Sequence, residues 1–159
     1  MLKLTRIDGR LIHGQVLTGY VRQHGINLII VANDHLSQSP FEQKLMKMIA
    51  PSGVEVEILS VDDVGKGLTD GKWDQDSVLL LIKSPIDFVR LYDLYPEFEK
   101  INVGGVHNEG GKIKITKEVS ATEDELEAWK KINELGVTME LQWDREKSIS
   151  DFNKIIANM

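Results

Sequence analysis

Cysteine is absent from the 159-residue chain. Its absence excludes a disulfide scaffold, thiolate zinc sites and a cysteine nucleophile, and it fits a reducing compartment. Long apolar runs are absent too. The longest, Leu28–Ala32 and Val78–Ile82, have five residues each, against roughly 20 for a membrane-spanning helix. The N-terminus passes straight into strand-like sequence without an apolar signal region, so a cytoplasmic location is expected, with any membrane connection made through a partner. Positive charge is in deficit. The net charge is −6, and no basic face is large enough for a general nucleic-acid binder. There is no GxxxxGK loop followed by Ser or Thr, and Gly104-Gly105 lacks dinucleotide-fingerprint spacing, so nucleotide binding has no motif behind it. The four histidines, His13, His24, His35 and His107, include no pair at metal-ligand spacing, and no metal site is expected.

What is present reads as one domain over residues 1–159, long enough to bury a single core. Met1–Ile7 reads as a strand, and Val16, Leu17, Tyr20, Val21 and His24 follow helical spacing up to a stop at Gly25. Leu28–Ala32 is a strand covered on both faces, ended by the polar turn Asn33-Asp34-His35. Pro40 opens a helix carrying Phe41, Leu45, Met48 and Ile49, which stops before Pro51. Val54–Leu59 alternates as a third strand, and Ser60 or Asp62 starts a short helix closed by Gly71. Val78–Ile82 is the most buried-looking strand. Ser84 and Pro85 then suit the N-cap and first position of a helix that ends before Pro96. Ile101–Val103 runs into Gly104-Gly105-Val106-His107, and Lys112–Ile115 looks like a hairpin-type strand. Thr122 and Glu125 form a capping box for a helix stopped at Gly136; Val137–Leu141 is the last strand, and Ser150 caps a C-terminal helix. The alternation predicts a mostly parallel twisted sheet with helices on both faces and antiparallel strands near the late edge.

In such a sheet, ligands bind beyond the carboxyl ends of the strands. Three loops there carry functional residue types: Asp8–Gln15, Lys83-Ser84-Pro85 and Gly104–His107. The first, within Arg6-Ile7-Asp8-Gly9-Arg10-Leu11-Ile12-His13-Gly14-Gln15-Val16, holds a histidine, two arginines, an aspartate and two glycines between strand and helix. A neutral imidazole can attack phosphorus, Arg10 and Arg6 can offer forked donors to phosphoryl oxygens, and the helix beginning near Gly14 adds positive partial charge. Asp8 can orient the imidazole or an arginine. The same residues also fit an ordinary loop histidine among solvated arginines, and local sequence leaves the two open. His24 reads as a helix-capping surface residue, His35 as solvent-facing, and His107 as site-lining or packing. Trp73, Trp129 and Trp143 read as packing or surface aromatics.

At Arg6–Val16 the chain resembles the RxDxRLIHGQV loop of the IIB component of the mannose, fructose and sorbose family of the sugar phosphotransferase system. The resemblance continues through Leu28–Val31, Ala50–Val54, Leu81–Pro85, Ile101–His107, Thr116–Ser120 and Gly136-Val137. It implies a phosphoryl-relay subunit. His13 matches the phosphorylated histidine, bonded at Nδ1, Arg10 the phosphoryl-binding arginine, and Asp8 an aspartate of the same loop. Arg6, Gly14, Gln15, Ser84 and His107 match positions binding the phosphoryl group or bordering the site. The implied donor is a phosphohistidine on a IIA partner, and the implied acceptor is a sugar delivered by membrane IIC and IID proteins. No metal or organic cofactor is implied, and the resemblance allows self-association. Two departures stand out. Gly9 replaces a frequent polar residue, and Trp143–Lys147 lacks the proline-containing pattern expected before the last helix. A second reading is a non-catalytic or regulatory α/β module that binds an anion or a partner at the His13 loop.

Overall fold

The two five-residue apolar runs become neighbouring strands, β2 (Leu28–Ala32) and β4 (Val78–Ile82), and every side chain of both is buried. A computed structural model describes residues 1–107 and 110–159, the Gln15 side chain excepted. Around this pair stand β1 (Leu2–Ile7), β3 (Glu55–Leu59), β5 (Lys100–Val103), β8 (Thr138–Leu141) and β9 (Ser150–Asp151). Numbered with β6 (Ile113–Lys114) and β7 (Ser120–Ala121), the seven-stranded sheet runs β3-β2-β4-β1-β5-β8-β9. All pairings are parallel except β8 with β9. The mostly parallel sheet with helices on both faces is as expected.

Alternation along the strands divides the core in two. Ile7, Ile30, Ala32, Leu80 and Ile82 face one side, where α4 (Val61–Thr69), α5 (Pro85–Leu94), α6 (Glu123–Glu134) and α7 (Phe152–Ala157) bury Val64, Phe88, Trp129 and Phe152. Ile29, Val31, Leu79 and Leu81 face the other, against Leu17 and Tyr20 of α1 (Gly14–His24) and Leu36 of α2 (Asp34–Ser37). The remaining helix, α3 (Pro40–Ile49), has no buried residue, and its apolar stripe Phe41, Leu45, Met48 and Ile49 faces outward.

The strand order reverses at β1. From it the chain crosses through α1 to β2 on one side, and later β5 pairs on its other side. The loop after β1 is therefore wedged between the ends of β4 and β5. Asp8 donates its N–H to the Ile82 carbonyl at 2.9 Å, Gly9 to that of Gly105 at 2.9 Å, and Gly104 to that of Ile7 at 2.9 Å. This is the crevice where open α/β sheets hold ligands.

Most element ends follow local chemistry. Ser60, Ser84 and Thr122 accept from the backbone N–H three residues on, and Gly25 closes α1 in the left-handed region. Three ends differ from expectation. The polar turn at Asn33 winds into α2, because the Asn33 side chain accepts from Leu36 N–H and caps it. The hairpin-type strand read at Lys112–Ile115 is present as β6, antiparallel to β7, but in a separate two-stranded sheet rather than at the late edge of the main one. The antiparallel strand at the late edge is instead β9, which contains Ser150; Asp151 caps α7 in its place. A two-residue strand beside charged loops carries too little periodicity to read, yet it covers the edge that β8 would otherwise expose.

The capping box of α6 is complete in both directions, with Thr122 N–H donating to Glu125 Oε1 at 3.0 Å and Glu125 N–H to Thr122 Oγ1 at 3.2 Å. Thr122→Ala is expected to cost about 1 kcal/mol, seen in urea unfolding as a lower midpoint with an unchanged slope.

Candidate functional site

The site is assembled on one carboxylate. Asp8, fully buried, accepts from Arg10 twice through Oδ1, from the backbone N–H and Nε at 3.0 Å each, and through Oδ2 from Arg10 Nη2 at 2.7 Å. Its Oδ2 also accepts from Arg6 Nη2 at 3.0 Å. Arg6 is itself wholly buried. Its Nη1 donates to Asn102 Oδ1, to the Gln142 carbonyl at 2.9 Å and to the Tyr20 hydroxyl at 3.2 Å, while Nη2 reaches the Trp143 carbonyl at 2.6 Å. Arg6 thus ties β1 to α1, β5 and the end of β8. A paired buried charge with these donors occupied avoids most of the several kcal/mol an isolated one would cost.

Arg10 differs in kind. Its side chain is 33% exposed, its Cζ lies 4.1 Å from the Trp143 ring centroid, and Nη1 has no partner among the described residues. The guanidinium is clamped on one edge by Asp8, supported on its face by the indole, and open on its remaining donors. Gly104 and Gly105 make room for this arrangement. A Cβ on Gly104 would run into the Arg6 guanidinium and the Asp8 carboxylate, and one on Gly105 would stand 2.8 Å from the Trp143 ring.

His13 stands at the N-cap position of α1, with no side-chain hydrogen bond to the helix backbone. To reach it the chain turns sharply, with Leu11 N–H on the Asp8 carbonyl at 3.0 Å and Leu11 itself at φ 55°. That left-handed conformation costs a branched residue roughly 1–2 kcal/mol. Burial of the Leu11 and Ile12 side chains, each 2% exposed, contributes about 1.5–3 kcal/mol apiece and outweighs it. The imidazole Nδ1–H donates to the Leu11 carbonyl at 2.7 Å, which leaves the lone pair on Nε2, 3.6 Å from Asp8 Oδ2. Nε2 is buried and has no hydrogen-bond partner among the described residues. The first turn of α1 carries no acidic side chain, so the positive end of the helix is available to an anion.

Burial pushes the His13 pKa below its ordinary 6.5; the Asp8 charge opposes this, and the Arg10 charge reinforces it. The imidazole is therefore neutral near pH 7. Burial alone would push the Asp8 carboxyl up, but the hydrogen bonds from Arg10 and the Arg6 charge hold it below the ordinary 3.8. The result is a neutral ring beside a fixed anion and two fixed cations.

Of the residues singled out in the sequence, Asp8, Arg10, His13 and Gly14 come together here. Arg6 joins them from the inside, with no face toward solvent. The Gln15 side chain lies outside what is described. Ser84 follows β4 at the same sheet edge, but its hydroxyl accepts from Asp87 N–H as the cap of α5. His107 lies on the β5 side of the crevice and is exposed. Sequence reasoning missed Tyr20, Asn102, Gln142 and Trp143. Only Trp143 left a signal, an aromatic in the segment that departs from the family pattern.

The structure is thus a doubly wound α/β protein with a histidine-arginine-aspartate cluster at the reversal point of its sheet. Comparison with known proteins makes the class specific. The model of the PTS system sorbose subfamily IIB component matches residues 2–159, and the chain belongs to that family. It is 33% identical to the PTS system fructose-specific EIIB component of Bacillus subtilis, over 98% of this chain and 96% of that protein. It is 32% identical over 89% of its length to the PTS system mannose-specific EIIAB component of Escherichia coli, of which it spans 44%. The solved IIBSor domain of the sorbose permease from Klebsiella pneumoniae superposes with a TM-score of 0.91, at 26% identity, over 100% of this chain and 98% of that one.

Two measurements probe the site's electrostatics. By NMR the His13 imidazole is expected to titrate below 6.5; a midpoint at or above that value contradicts the burial argument. Both depressed pKa values give the same sign, since the unfolded chain binds more protons in acid. Stability is intact above pH 6.5, declines as pH falls toward the lowered His13 value, and declines again below 3.8 as Asp8 is protonated. Asp8→Asn leaves Arg6 buried without its counter-charge and is expected to cost on the order of 3 kcal/mol, measured by urea unfolding.

Proposed function

We propose that the chain is the cytoplasmic phosphoryl-relay subunit of a sugar phosphotransferase system. His13 accepts a phosphoryl group from a phosphohistidine of a IIA protein and passes it to a sugar presented by membrane IIC and IID proteins. The observation that carries this reading is the His13 imidazole at the start of α1, beside an Arg10 guanidinium held in place by Asp8 and Trp143. Among the described residues no helix is long and apolar enough to cross a membrane, which fits a subunit that reaches its permease by docking.

In the proposed reaction the P–N bond of the donor breaks as a new P–N bond forms to His13, in line, and the donor imidazole leaves. For bonding at Nδ1 the ring must first move its proton from Nδ1, where the Leu11 carbonyl holds it at 2.7 Å, to Nε2, which lies 3.6 Å from the Asp8 carboxylate. The Leu11 carbonyl then gives up its hydrogen bond, and Nδ1 becomes the nucleophile. The open donors of Arg10 and the first turn of α1 face the developing charge. Arg6 acts through Asp8, holding it rather than touching phosphate. A second in-line transfer moves the group to a sugar hydroxyl, whose proton is lost, and regenerates neutral His13.

Incubation with phosphoenolpyruvate, the general transfer proteins and a IIA protein is expected to give an acid-labile adduct, and His13→Ala is expected to abolish it. Arg10→Lys keeps the charge but loses the fork, and is expected to slow labelling by about tenfold to a hundredfold with a smaller effect on unfolding. Normal labelling of His13→Ala overturns the assignment. A labelled protein that never passes its phosphate to sugar points to the regulatory reading.

A further inference from the structure

The helix α3 is unlike every other long helix of the fold. Phe41, Leu45, Met48 and Ile49 fall at i, i+4, i+7 and i+8, the spacing of a core-facing stripe, yet Phe41 is 72% and Met48 71% exposed. Only the opposite edge of the helix, through Met46, packs on the core. The stripe forms an apolar patch of a few hundred Å2, of the size that on a monomer is often functional.

The patch is joined to the reactive loop. The last residue of α3 puts its carbonyl 4.0 Å from where a Gly14 Cβ would stand, and Val16 of α1 shares a cluster with Met46 and Ala50. The C-terminal end of α3 therefore lies beside the start of α1, next to the His13 loop. Its rim is basic. Lys44, Lys47 and Lys83 are exposed and form no close ion pair among the described residues, although the Lys83 charge reaches Glu42 and Asp87, while Glu42 is paired with His35 at 2.8 Å.

Resting on the relay reading above, we propose that the α3 stripe is the docking surface for the phosphoryl donor, a protein with an apolar patch and an acidic rim around its phosphohistidine. Charge selects the donor over the acceptor. A phosphorylated donor brings about two negative charges to the lysine rim and loses them on transfer, so attraction is strong before the reaction and weak after it. A neutral sugar on its carrier gains nothing from that rim. The modest area suits a short-lived encounter rather than a permanent dimer.

The test uses Phe41→Asp and Met48→Asp, both at exposed positions and therefore compatible with folding. Labelling of His13 by phosphorylated IIA protein is expected to slow at least tenfold, while labelling by the small donor phosphoramidate stays within twofold. Transfer from prelabelled protein to sugar in permease-bearing vesicles is likewise expected to stay within twofold. Lys44→Glu with Lys47→Glu is expected to slow only the IIA step and to flatten its salt dependence. Unchanged IIA-dependent labelling in the stripe variants overturns the proposal. So does a defect confined to the sugar step, which assigns the face to the permease, or one confined to self-association in sedimentation, which assigns it to a second copy. If phosphorylated IIA fails to label even the unaltered protein, the relay reading falls first and the docking proposal with it.

Discussion

Everything at the candidate site depends on one buried carboxylate shared by two arginines. Asp8 has no exposure, and neither has Arg6, so neither charge could be there without the other. The pair accounts for features that are otherwise unrelated. It requires glycine at 104 and brings the Gln142 and Trp143 carbonyls inward as acceptors for Arg6. It also anchors the turn that carries the chain from β1 to His13.

The same carboxylate separates the roles of the two arginines. Arg6 uses its terminal nitrogens inside the fold, where they set position. Arg10 spends one edge on Asp8 and leans on an indole, which keeps the guanidinium oriented with donors to spare. In the proposed relay, a group that must be held and then surrendered calls for this balance. Two free arginines beside a phosphoryl dianion would bind it more tightly than a relay can use, whereas one fixed arginine and a helix terminus supply direction with less depth. Burial adds the last component by keeping the His13 ring neutral, hence nucleophilic, at the pH where its neighbours are charged.

Topology decides what surrounds that chemistry. Because β1 lies where the strand order reverses, its loop opens into a crevice bounded by the ends of β4 and β5, and the helix that follows points its N-terminus into the same space. The face covered by four helices is closed. The other carries α1, α2 and an α3 with no buried residue, whose apolar stripe was left outside. In the proposed relay, reaction and recognition would share one rim, which suits a protein that presents a single imidazole to more than one partner.

The sequence by itself determined the order of the main strands and helices, the capped helix starts at Ser84 and Thr122, the mostly parallel sheet, and the loop from Arg6 to Gln15 as the candidate site. These are local quantities: hydrophobic period, caps and glycine stops act over a few residues and can be read over a few residues. Only the tertiary structure decided that Arg6 is a buried strut, that Ser84 spends its hydroxyl on a helix, and that β9 covers the edge of β8. It alone brought Tyr20, Asn102, Gln142 and Trp143 to Arg6 and Arg10 across separations of 14 to 137 residues. It also turned the stripe of Phe41, Leu45, Met48 and Ile49 outward, against what its period suggests. Periodicity states that a helix has an apolar face, but which face finds the core depends on the room the sheet has left, and that is a property of the packed whole.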